Sequence, residues 1–244
     1  MIALEAGAWG AIAASSLVIG ALIAILRPIA RKPLGLIMAF GSGVLVSSVA
    51  YELVEEAVRI GGQLPMALGL ALGTVVFYLG DNAIDSMGAE GIGSVKGPES
   101  PESGLAIVLG AALDGVPESI VLGLTFAGGE GISIAFIVAV FLSNLPEGIA
   151  GTTGLLRGGW DRRRIIRLWL IVVVASAIAA LLGGSVLAGF GGELYAFILG
   201  FAGGAILTML ADTLIPEAFD HAGKQAGLAT TLGFGLAFAL TLLD

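Results

Sequence analysis

The chain has 244 residues, 57% of them hydrophobic and 12% charged, with a formal net charge of −8 and a mean hydropathy of +1.02. A water-soluble protein carries about twice that share of charge, so the expected solvent is the lipid bilayer. Cysteine is absent, which excludes disulfides, thiolate metal ligands and a cysteine nucleophile.

Crossing the hydrocarbon takes about 20 apolar residues, and eight runs reach that length, at roughly 4–26, 34–58, 64–84, 104–127, 131–155, 165–189, 193–219 and 225–243. The first opens MIALEAGAWG, without Lys or Arg, and does not read as a cleavable signal peptide. The second ends in YELVEEA (51–57). Between the third and fourth lies SMGAEGIGSVKGPESPES (86–103), whose Gly, Ser, Pro and Glu content predicts a mobile loop. The fourth run carries DGVPES (114–119), the fifth SNLPEG (143–148) and the seventh TLIPEAFD (213–220). All are too long and too uniform for barrel strands. The expectation is an all-α polytopic membrane protein, one transmembrane domain over 1–244 in a bundle of eight helices. Its many Gly and Ala residues let those helices approach closely.

Basic residues set the orientation. All of them except Arg59 fall in, or at the edge of, the loops after the first, third, fifth and seventh runs, with the densest group in GGWDRRRIIR. The positive-inside rule puts those loops in the cytoplasm and both termini outside. The cell (inner) membrane is the expected location.

Carboxylates inside the runs are the functional signal. They are Glu52, Glu55, Glu56, Asp114, Glu118, Glu147, Asp212 and Glu217, none with a Lys or Arg in its own run. An ionised Asp at mid-bilayer costs about 2.5–3.5 kcal/mol, so Asp114, Glu118 and Glu147 together would cost on the order of 8–10 kcal/mol. Protons or bound cations must neutralise them. Asp114 and Glu118 are one helical turn apart and share a face, as do Ser143 and Glu147. Pro117 and Pro146 stand immediately before the glutamates and leave the carbonyls of Leu113 and Leu142 without helical donors. Helices broken at membrane depth line cavities, and a freed carbonyl beside a carboxylate suits a hard cation. Asn144 and Ser143 add neutral oxygens. Two such kinks facing each other would make a cation site. Asp212 and Glu217 sit nearer a span end, where a solvated or gating role reads as evenly as a site role, and His221 reads as a lone surface histidine.

These motifs resemble the ZIP (Zrt/Irt-like) family of divalent metal transporters, in a divergent, bacterial-type form. The family has eight helices and a Pro-Glu-Gly type motif in helix 4, with a related one in helix 5. DGVPES and SNLPEG stand at those places, ADTLIPEA (211–218) resembles the helix 7 motif and ELVEEA (52–57) that of helix 2. The resemblance implies Glu118 and Glu147 as central metal ligands. Asp114 takes the histidine position of helix 4, and Gly115 the place where Asn is frequent. Ser143 takes a position usually held by His or Gln, beside Asn144. It further implies a pathway past Ser47, Ser48, Glu52, Asp212 and Glu217. Helix 6 lacks the Glu that many members place there, which removes a ligand for a second metal.

The function expected is transport of a divalent cation, zinc first, with iron, manganese or cadmium as alternatives. The metal is the substrate and no organic cofactor is expected. Partners are the bilayer and metal ions, with room for a homodimer and no nucleic acid. Competing readings are a proton- or sodium-coupled transporter of another solute and a non-transporting membrane sensor. No HExxH, GxSxG or P-loop pattern occurs, and an enzyme is not expected.

Overall fold

The computed structural model describes residues 2–27, 29–86, 101–127, 134–185 and 191–242. Among these residues the chain forms eight helical stretches and no strand. They are α1 (Ile2–Leu26), α2 (Arg31–Gly61), α3 (Gln63–Ser86), α4 (Pro101–Ala127), α5 (Ile134–Arg157), α6 (Arg162–Ser185), α7 (Gly192–Ala222) and α8 (Gln225–Thr241). Six of them, α1, α2, α3, α5, α6 and α7, are long and apolar enough to cross a membrane. The protein is an all-α polytopic membrane protein.

Each apolar run carries one of these stretches. Of the expected loop at 86–103, Ser86 belongs to α3, and residues 101–103 belong to α4, which starts at Pro101, a residue suited to a first helical position. Residues 87–100 lie outside the described residues. Helix ends follow local chemistry. Gly62 and Gly223 take positive φ, 90° and 59°, directly after α2 and α7, which glycine adopts without a Cβ clash. Asp161 caps α6, its Oδ2 accepting from the backbone N–H groups of Arg163 at 2.9 Å and Arg164 at 3.3 Å.

Expectation and structure part at the prolines. α4 and α5 run unbroken through Pro117 and Pro146. The interrupted helices are α2 and α7 instead. Each has 18 α-helical residues and then a π-helical turn, Val49–Val54 in α2 and Leu210–Leu214 in α7, before α-helix resumes. Both total 31 residues. Laid end on end they match: Phe40 with Phe201, Gly43 with Gly204, Leu53 with Leu214, Glu56 with Glu217, Gly62 with Gly223. They run antiparallel, since Gly35 near the start of α2 packs on the Ala218 carbonyl near the end of α7. At the other end, Gly61 packs on Gly192.

The closest helix pairs are α3 with α7, α2 with α7, α1 with α6, α2 with α8, α4 with α6 and α1 with α5. They sort the bundle into α1, α4, α5, α6 and α2, α3, α7, α8. Contacts of α2 with α5 and of α4 with α7 join the two groups. Glycine makes the approaches possible. A Cβ at Gly43 would strike the Thr230 carbonyl of α8, and one at Gly204 the Leu70 carbonyl of α3. Of the six long apolar helices, α2, α5 and α7 are the most buried and α3 the least.

Candidate functional site

The central helices carry the polar interior. Glu118 on α4 is 1% exposed, and on α5 Ser143, Asn144 and Glu147 are 0%, 3% and 7% exposed. Ser47 and Ser48 of α2 are fully buried. Among the described residues no Lys or Arg is buried. Buried carboxylates ordinarily occur paired with a counter-charge or a metal. Both glutamates take part in interactions with other groups.

Helix contacts converge on the second motif. The Leu142 carbonyl, deprived of its helical donor by Pro146, faces α2 at Gly41, where a Cβ would stand 3.0 Å from that oxygen. One turn further on, Gly20 of α1 faces the Leu145 carbonyl, and Gly148 faces Leu17 of α1. SNLPEG is therefore clasped between α1 and α2, with glycine at each of these contacts. On α6, buried Trp169 Nε1 donates to Thr152 Oγ1 of α5 at 2.8 Å, fixing the same helix from its other side. The first motif contacts α6, where Gly115 lies near Ser176 Oγ.

The other residues expected to form the metal site and the pathway differ in placement. Ser143 Oγ donates to the Val140 carbonyl of its own turn at 3.0 Å, so its proton is committed while its lone pairs stay available. Ser48 Oγ donates to Glu52 Oε1 at 3.5 Å, across the start of the α2 π-turn. Ser47 Oγ makes no hydrogen bond among the described residues. Asp212 sits on the π-turn of α7 and is exposed, and Glu217 is half-buried. Asp114 lies in the backbone of α4, and its side chain is outside the described residues. Among the described residues no three His, Asp or Glu side chains converge as a ready metal cage.

Two features were not read from the sequence. The π-turns leave no mark on hydropathy, although both carry an acidic residue, Glu52 and Asp212. His221 is not a simple surface group: its Nδ1 is buried, as is Glu217 Oε1, and neither makes a hydrogen bond among the described residues. Both residues line one small cavity between α2, α5 and α7. Their four-residue spacing was the signal available.

No family model matches the chain. Similarity to curated proteins is low but extended. An Arabidopsis thaliana protein provisionally named a zinc transporter is 24% identical over 213 residues, 86% of this chain and 34% of that protein. The zinc transporter SLC39A7 of Mus musculus is 26% identical over 169 residues, 62% of this chain and 35% of its own length. The human protein of that name is 27% identical over 124 residues, 48% of this chain and 26% of its own length. The chain thus spans about a third of the length of the first two relatives.

Proposed function

We propose that this chain is a ZIP-type carrier or channel for divalent metal cations, with zinc as first substrate and iron, manganese and cadmium as alternatives. The observation that carries the reading is the pair of buried glutamates, Glu118 and Glu147, in an interior where no described Lys or Arg is buried. A dication neutralises such a pair and gains their oxygens as ligands. Similarity to proteins named as zinc transporters supports the same substrate class. Asp114, Ser143 and Asn144 complete the ligand set, with Ser47, Ser48, Glu52 and Asp212 along the route. All eight helices cross the bilayer of the cell membrane, with the arginine-rich ends cytoplasmic, and the protein is free to pair as a homodimer. With no histidine among these residues, the site is oxygen-rich and accepts manganese more readily than an imidazole site would.

The test is zinc and manganese uptake into proteoliposomes. Glu118→Ala and Glu147→Ala, each purified as a monodisperse protein, are expected to abolish uptake. Wild-type rates in both variants would end the metal-site reading.

A further inference from the structure

At the arginine-rich end of the bundle a cavity of about 60 Å³ opens between the start of α2 and the ends of α5 and α7. Glu217 and His221 line it from α7, one helical turn apart, with Thr153 and Arg157 from α5 and Arg31 from α2. Two facts set this place apart. Glu217 Oε1 and His221 Nδ1 are both buried, and neither makes a hydrogen bond among the described residues. A buried oxygen and imidazole nitrogen left unpaired cost free energy, and both are ligand atoms for a borderline divalent metal. The volume holds a cation with one or two waters, each water taking about 30 Å³.

The matched helix shows what is special here. Glu56 occupies the equivalent position on α2, at the opposite end of the bundle, and is bound there by Arg59 in an ion pair. On α7 the residue matching Arg59 is Asp220. One carboxylate is closed by a guanidinium of its own helix, whereas the other opens onto a cavity with an imidazole beside it.

We propose that Glu217 and His221 form a second, weak station for the transported divalent cation, where it pauses on its way to or from the cytoplasm. The proposal rests on the transport reading above. Two protein ligands and water hold the ion loosely. Arg31 and Arg157 on the facing wall repel a dication and shorten its stay, which suits a point of transit.

His221 is the one histidine in the chain, so any imidazole signal from bound metal reports this station alone. The protein, purified without a polyhistidine tag, is titrated with copper(II) and examined by pulsed electron paramagnetic resonance. Imidazole nitrogen modulation is expected in wild type and in the Glu118→Ala/Glu147→Ala double variant, and its loss in His221→Ala. Glu217→Gln is expected to weaken copper binding at His221 by at least about tenfold. Both single variants should lower the maximal rate of zinc uptake. Absence of imidazole modulation in wild type, equal affinity in Glu217→Gln, or unchanged uptake in both variants would overturn the station. Failure of the transport reading looks different: imidazole modulation would persist while wild-type vesicles took up no metal.

Discussion

Glu118 and Glu147 are almost wholly enclosed, and carboxylates so placed make the bundle's stability depend on what neutralises them. A ligand that binds only the folded state adds about 2.7 kcal/mol at a hundredfold excess over its Kd. Zinc should therefore raise the thermal midpoint of the wild-type protein in detergent by several degrees. Glu118→Gln and Glu147→Gln should lose that rise while melting no earlier than wild type without metal. A metal-induced rise preserved in both would show that the ion sits elsewhere. In the proposed site, selectivity rests with the neighbours. Asp114 stands one turn before Glu118, and Asp114→His should shift competition between zinc and manganese toward zinc, because imidazole is the softer ligand. An unchanged rank order in competition uptake would remove Asp114 from the ligand set.

At the level of helices, glycine decides which faces meet. Gly43 lies against the Thr230 carbonyl, and its counterpart Gly204 against Leu70, so α2 on α8 and α7 on α3 are built alike. A side chain at Gly43 must push backbone, and Gly43→Leu is expected to cost about 1–3 kcal/mol as overpacking. Gly227 of α8 has open space around a built Cβ. Gly227→Ala should therefore be neutral or gain about 0.5–1 kcal/mol from helix propensity. Equal thermal midpoints for the two variants would contradict this account of packing. The helices themselves were legible from 20-residue apolar runs, because lipid leaves the backbone few other ways to satisfy its hydrogen bonds. Their partners were not: hydropathy does not say which glycine faces which carbonyl. The prolines misled for a related reason. Pro117 and Pro146 each remove one N–H, yet α4 and α5 continue through them, while the departures from α-geometry fall in α2 and α7 without changing composition. The acidic motifs were visible as residues out of place in oil. The cavity at Glu217 and His221 was hidden because it needs the start of α2 and the end of α5 as its other walls.

Taken whole, the molecule joins two groups of helices, with α2 and α7 antiparallel, equal in length and each carrying a π-turn after 18 α-helical residues. Antiparallel packing places Glu56 and Glu217 at opposite ends, and the proposed transport needs those ends to face opposite compartments. Charge says which is which. Arg31, Arg157, Arg162, Arg163, Arg164 and Lys224 gather at the end that holds Glu217, and Arg59 stands at the other. Basic loops are retained in the cytoplasm during insertion, so the Glu217 end should face inward. The absence of cysteine makes this directly measurable with single introduced thiols. Gln63 is exposed at the start of α3, on the Glu56 side, and Gln225 is exposed at the start of α8, on the Glu217 side. In intact cells a membrane-impermeant maleimide should label Gln63→Cys and leave Gln225→Cys unreacted until the membrane is permeabilised. The reverse pattern would invert the protein in the membrane. Labelling of both from outside would mean that the two ends share a compartment, and the proposed transport route would then cross nothing.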